Sequence, residues 1–81
     1  MKEKIKSAVL KELPEAEIHV LSDDDVHFQA LVISSTFEGL SLVKQHQLVM
    51  NSLKKYFNED LHALGLQTFT PEKWEKKRNH A

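Results

Sequence analysis

Five histidines and no cysteine among 81 residues narrow the chemistry open to this chain. Without a thiolate it forms no disulfide and no all-thiolate metal site of its own. Imidazole is the one soft-nitrogen metal ligand left to it. His62 opens a run that continues through Leu64 and Leu66 to Phe69, so a strand can hold it rigidly while its ring reaches solvent. His27 follows the acidic triplet Asp23-Asp24-Asp25 at the mouth of an expected hairpin. Taken alone, His62 reads as a packing residue at a strand end, and His27 as a cross-strand partner. His46 falls on the apolar side of a helical repeat and reads as a satisfied structural group. The aspartate triplet lacks the alternating ligands, the glycine and the closing glutamate of a calcium loop. Aspartates of this kind belong to turns, where they bond neighbouring backbone amides. No nucleophile and base stand at a recognisable spacing, and His62 near Asp60 does not build an acid–base site.

The elements that must position these residues follow from periodicity. Ile5, Val9, Leu10 and Leu13 share one face of a helix over residues 2–13, with most lysines off that face, and Pro14 ends it. Residues 17–22 alternate as a strand with Ile18 and Val20 on one side. Residues 26–34 form a second strand with Phe28, Ala30 and Val32 on one side, and the acidic connection makes the pair a hairpin. A turn or one short helical turn over residues 35–41, broken by Gly39, precedes a helix over residues 42–57. Its stripe is Leu42, His46, Val49, Met50, Leu53 and Phe57, widened by Val43 and Tyr56. Residues 61–69 then read as a strand with apolar atoms on both faces. Thr70, Pro71 and Glu72 are helix-start residues, and Trp74 of the last helix is expected to close the core.

The two short strands pair antiparallel, and the helical crossover makes the third strand parallel to the second. The predicted class is α+β, in the order α-β-β-α-α-β-α, with a three-stranded mixed sheet and helices packed on one face. Residues 1–81 are expected to form one domain. A net charge of −1 gives no overall field drawing the protein to nucleic acid. The N-terminus alternates lysine with other residues and does not read as a signal peptide. No segment approaches the ~20 apolar residues of a membrane span. Together with the lack of cysteine this is compatible with a cytoplasmic protein.

Several of these stretches together resemble the BolA family. They are Val26-His27-Phe28-Gln29, Phe37-Glu38-Gly39, Val43-Lys44-Gln45-His46-Gln47-Leu48-Val49, His62-Ala63-Leu64 and Thr70-Pro71-Glu72-Lys73-Trp74. They occur in the right order and cover the chain from about residue 17 to 75. The short hairpin connection is similar to that of the compact bacterial branch. The resemblance implies a fold related to the class II KH domain. Only Gly39 remains of the Gly-x-x-Gly phosphate clamp of nucleic-acid-binding KH domains, with Leu42 in the second glycine's place, which counts against KH-style RNA binding.

The resemblance implies two functions of different classes. In the first, the protein is a non-enzymatic partner of a monothiol glutaredoxin and shares a [2Fe–2S] cluster with it, in iron–sulfur trafficking or iron regulation. The partner would supply its cysteine and a bound glutathione thiolate, and imidazole can replace thiolate on one iron. His62 matches the family's ligand position. His27 is the nearest candidate for the second ligand, because the hairpin loop is acidic where relatives place histidine or cysteine. Alone, the protein would hold no cluster; it would be a monomer, or a heterodimer with its partner. In the alternative, it is a DNA-binding transcription regulator that uses the KH-like helical face. Lys44 and the basic run Lys76, Lys77 and Arg78 would then contact phosphate weakly.

Overall fold

A computed structural model of the protein describes residues 2–24, 26–56 and 64–79. The elements, in order, are α1 (Lys2–Glu12), β1 (Glu17–Leu21), β2 (Phe28–Ile33), a 3-10 turn (Ser35–Phe37), α2 (Leu42–Tyr56), β3 (Leu64–Phe69) and α3 (Pro71–Asn79). The sheet order is β1-β2-β3. β1 pairs antiparallel with β2, from Glu17 with Ile33 to Leu21 with Gln29. β2 pairs parallel with β3, from Phe28 with Leu64 to Ile33 with Phe69. The α+β class and the mixed sheet are as the periodicity predicts. Of the expected third strand, residues 61–63 lie outside the described residues, as does Phe57 of the expected core.

Alternation decides which side chains enter the core. Ile18, Phe28, Ala30, Val32 and Thr68 are buried on the inner face, while Glu17, His19, Gln29, Gly65 and Gln67 on the outer face are exposed. α1 contributes Ile5, Ala8 and Val9, α2 contributes Val49 and Leu53, and Leu13 and Phe37 complete the cluster. Phe37 is fully buried although it sits in a three-residue turn. Ser34 caps that turn by accepting the Thr36 amide at 3.1 Å. Glu15, between α1 and β1, accepts the hydroxyls of Ser34 and of Thr36, the latter at 2.9 Å. Burial pushes the Glu15 carboxyl up, but these hydrogen bonds outweigh it and hold it below the usual glutamate range. Gly39 follows the turn with a φ of 78°, a left-handed conformation that glycine adopts without steric cost.

Four expectations need correction. β2 begins at Phe28 rather than Val26, because the amides of Val26 and His27 are taken by the Asp24 carboxylate and cannot join the ladder. The outer face of β3 is open along most of its described length: α2 lies across the inner face, Gly65 and Gln67 on the outer face are exposed, and Phe69 at the strand end is covered there by Trp74 of α3.

Leu42 and Val43 are not part of the buried stripe of α2, being 59% and 67% exposed. The inward positions of α2 belong to Gln45, Val49, Ser52 and Leu53. Gln45 can turn inward because its amide is used at both ends: it donates to the Leu40 carbonyl at 3.0 Å and accepts from the Thr68 hydroxyl at 2.7 Å. Ser52 donates to the Val49 carbonyl at 2.6 Å. With its polar groups satisfied, a glutamine ties the first turn of α2 to the end of β3.

The fourth concerns Trp74, which is half-buried and stands outside the core cluster. It rests on Phe69, with ring centroids 5.4 Å apart and planes tilted by 49°. Phe69 is paired with Ile33 on the outer-face side, so α3 folds back at the end of β3 rather than over the core. Thr70 caps α3 by accepting the Lys73 amide at 3.3 Å. Trp74→Ala should therefore cost only about 1 kcal/mol, the scale of an aromatic pair with partial burial, rather than the ~3–5 kcal/mol of a buried tryptophan. Thermal unfolding of that variant distinguishes the two figures.

Candidate metal centre at the hairpin mouth

The β1–β2 connection is organised by one carboxylate. Asp24 Oδ1 accepts the backbone amides of Val26 at 2.9 Å and His27 at 2.8 Å, and its Oδ2 meets the His27 Nδ1 at 2.8 Å. This is the turn chemistry that aspartate favours, extended to a side chain three residues on. The His27 side chain is 74% exposed, so its ring is at the surface while one nitrogen is fixed. The bond from His27, followed by the two backbone amides, holds the Asp24 carboxyl well below the usual aspartate range. Asp24 is thus ionised wherever the protein is folded at ordinary pH.

Ionised Asp24 selects the ring tautomer with hydrogen on Nδ1, which leaves the Nε2 lone pair of His27 for another partner. Metal-ligating histidines are oriented in this way, with the second ring nitrogen given to a carboxylate. His19 shows the same device at 2.7 Å, its Nε2 against Glu17 Oε2, further along the outer face. Among the described residues no three of His, Asp and Glu converge as a self-sufficient metal site. His27 alone can supply one ligand.

A carboxylate with a lowered pKa contributes stability that is complete above its unfolded value, ~4, and is lost as pH falls below it. The closed hairpin mouth should thus persist from neutral pH to below pH ~4. Asp24→Ala should open it at every pH. Amide hydrogen exchange at Val26 and His27 checks this: protection disappears in the variant and persists in the wild type.

His62, the other candidate ligand, lies outside the described residues. It precedes Leu64 by two positions in the chain, and Leu64 is the β3 residue paired with Phe28, the residue after His27. The two histidines therefore flank the same end of the β2–β3 ladder in sequence.

His46 departs from expectation. It is half-buried on α2, and its Nε2 is buried with no hydrogen-bond partner among the described residues. It is structural by position but not satisfied. Removing an unpartnered buried polar atom without leaving a void relieves its desolvation cost. His46→Leu should stabilise the fold by about 1 kcal/mol, or roughly 4–8 °C in Tm for a domain of this size. A lower Tm would show that the ring makes a contact its geometry does not reveal.

The three candidate phosphate contacts on α3 each have a neighbour among the described residues. Lys76 pairs with Glu72 at 3.3 Å, and Arg78 makes two contacts to Glu75 at 2.8 and 3.0 Å. The Lys77 ammonium stands 4.9 Å from the centre of the Phe69 ring. Lys44 is exposed in the first turn of α2, at the sheet end away from the hairpin. Reasoning from sequence missed the Asp24–His27 bond and the inward Gln45. An aspartate three residues before a histidine in a turn is a usable signal for the first; nothing local signals the second.

The chain is similar to known proteins over most of its length. Residues 3–73 match the family described as BolA-like protein. The acid stress protein IbaG of Escherichia coli is 35% identical over 75 residues, covering 91% of this chain and 88% of that protein. The DNA-binding transcriptional regulator BolA of Haemophilus influenzae is 34% identical over 56 residues, covering 69% of this chain and 54% of that protein. Among solved structures, the BolA domain of SufE1 from Arabidopsis thaliana superimposes with a TM-score of 0.72 at 31% identity, covering 89% of this chain and 93% of that one. With the family match spanning nearly the whole chain and the fold shared, this protein belongs to the BolA family.

Proposed function

We propose that this BolA-family protein is a non-enzymatic cytoplasmic partner of a monothiol glutaredoxin, and that the pair shares a [2Fe–2S] cluster for iron–sulfur trafficking or iron regulation. The observation that carries the reading is the Asp24–His27 pair. It fixes an exposed imidazole through Nδ1 and leaves Nε2 for a metal, in a chain with no thiolate. His62 and His27 would supply the imidazole ligands, and the glutaredoxin cysteine and glutathione the thiolates. The test is anaerobic co-expression with a monothiol glutaredoxin, followed by visible absorption and circular dichroism. The expected result is a heterodimer with one [2Fe–2S] whose spectrum differs from that of the glutaredoxin alone. A mixture in which the glutaredoxin keeps its own spectrum, with no heterodimer, overturns it.

DNA regulation is the weaker reading, although a relative bears that name. Three of the four candidate phosphate contacts are engaged within the protein, through Glu72, Glu75 and Phe69. Binding through Lys44 and the α3 run would be weak and lost at physiological salt. Titration of labelled duplex at two salt concentrations decides: tight, salt-insensitive binding would reverse the ranking.

A further inference from the structure

The sheet ends on β3, which among the described residues has a strand neighbour on one side only, β2. The Phe69 carbonyl accepts the Ser34 amide at 3.0 Å, so the main-chain groups of Phe69 point towards β2. In a strand the N–H and C=O of one residue point to the same side, and successive residues alternate. Gly65 and Gln67 therefore also bond to β2, while Leu64, Leu66 and Thr68 direct their N–H and C=O to the open edge. β3 carries no charge, no proline and no bulge, the devices that keep an edge from pairing. The opposite edge, β1, is guarded: Glu17 and His19 stand on it, 2.7 Å apart. α3 meets β3 at its last residue, Phe69. Leu64 and Leu66, on the helix side of the sheet, pack against the core yet remain only half-buried.

We infer that the β3 edge pairs with the β3 edge of a second copy of the chain, antiparallel and centred on Leu66, so that one sheet runs through both molecules. The pairing does not depend on the cluster reading. It makes the protein alone a homodimer, where the sequence led to the expectation of a monomer. Three features select a second copy as the occupant. In this register Leu66 faces the partner's Leu66, and Leu64 faces the partner's Thr68. These are hydrogen-bonded pairs, so every edge-facing N–H and C=O finds a bond. On the outer face Gly65 falls opposite the partner's Gln67, in the kind of pair where side chains come closest. The glycine leaves the space that the glutamine fills, and the chain's own β3 supplies both. Finally, an uncharged strand sets no like charges together when it meets itself. A two-fold axis at Leu66 uses both open edges at once, so the assembly closes at two copies.

Sedimentation velocity over a range of concentrations measures the self-association, and amide hydrogen exchange locates it. The wild type should dimerise as concentration rises, and the amides of Leu66 and Thr68 should gain protection with it. The amides of Gly65 and Gln67, bonded to β2 within one molecule, should be protected throughout. Charges placed at positions 65 and 67 read the register. Both positions are exposed, and a Cβ at Gly65 meets nothing nearer than the Gln29 Cγ at 3.5 Å, so the substitutions fit the monomer. Gly65→Lys/Gln67→Lys sets lysine opposite lysine in both halves and should weaken association roughly tenfold. Gly65→Lys/Gln67→Glu sets lysine opposite glutamate and should dimerise at least as well as the wild type at low salt.

A wild type that stays monomeric at millimolar concentration overturns the inference. A dimer whose Leu66 and Thr68 amides exchange as in the monomer is joined elsewhere and overturns it too. If the lysine–glutamate variant dissociates as far as the double-lysine variant, the strands do not meet in this register, with the same consequence. Both variants should melt as the wild-type monomer does, which separates a weakened contact from an unfolded chain. The wild-type exchange result decides whether or not a variant folds.

Discussion

His62→Ala is expected to abolish the mixed-cluster spectrum formed with a monothiol glutaredoxin, or to leave only that of the glutaredoxin's own cluster, while far-ultraviolet circular dichroism is unchanged. A [2Fe–2S] centre needs four ligands, and a chain without cysteine brings no thiolate to one. His62 is the ligand that the family resemblance implies, so in the proposed pair its loss would leave one iron short of a donor. His27→Ala should perturb the spectrum less, because its assignment rests on position and on the Asp24 bond. Asp24→Ala should then perturb it in the same direction as His27→Ala, since it frees the ring that it orients. The double variant Asp24→Ala/His27→Ala should look like His27→Ala alone, because the two act through one imidazole. A wild-type spectrum in His62→Ala would remove the ligand assignment and leave partner binding to be argued from the surface.

Phe37→Ala should be the most damaging single change in the core. Phe37 is fully buried and comes from a turn of three residues, so no neighbouring helical turn can slide in to fill the space. Phenylalanine-to-alanine changes at such sites cost about 3–5 kcal/mol. A domain of this length has a total stability of roughly 4–12 kcal/mol, so the variant should be partly unfolded near 37 °C. Urea unfolding measures it: the midpoint should fall with an unchanged slope. A loss under 1 kcal/mol would mean that the turn closes over the core without the ring. Trp74, larger but resting on Phe69 beside the core, serves as the comparison.

Periodicity sufficed where burial was one-sided and the inward residues were apolar. α1, β1 and the parallel third strand could be read from Ile5, Val9, Ile18, Phe28, Val32 and the helical crossover, because a hydrophobic pattern with a single period has one folded solution. Composition alone likewise decided that the described chain offers no thiolate ligand. The misreadings share one cause: a residue's type does not reveal whether its polar atoms will find partners. Gln45 replaced Leu42 on the inner side of α2 because Thr68 and the Leu40 carbonyl, 23 and five residues away, satisfy its amide. His46 took a position where no partner stands among the described residues, which no local pattern foretells. The hairpin mouth was legible as a turn. That Asp24 would hold His27 by Nδ1, and that Leu21 would stand exposed on the outer face of β1, depended on strand register and on which face the helices cover. Those are set by contacts between segments distant in the chain, so only the tertiary structure decided them.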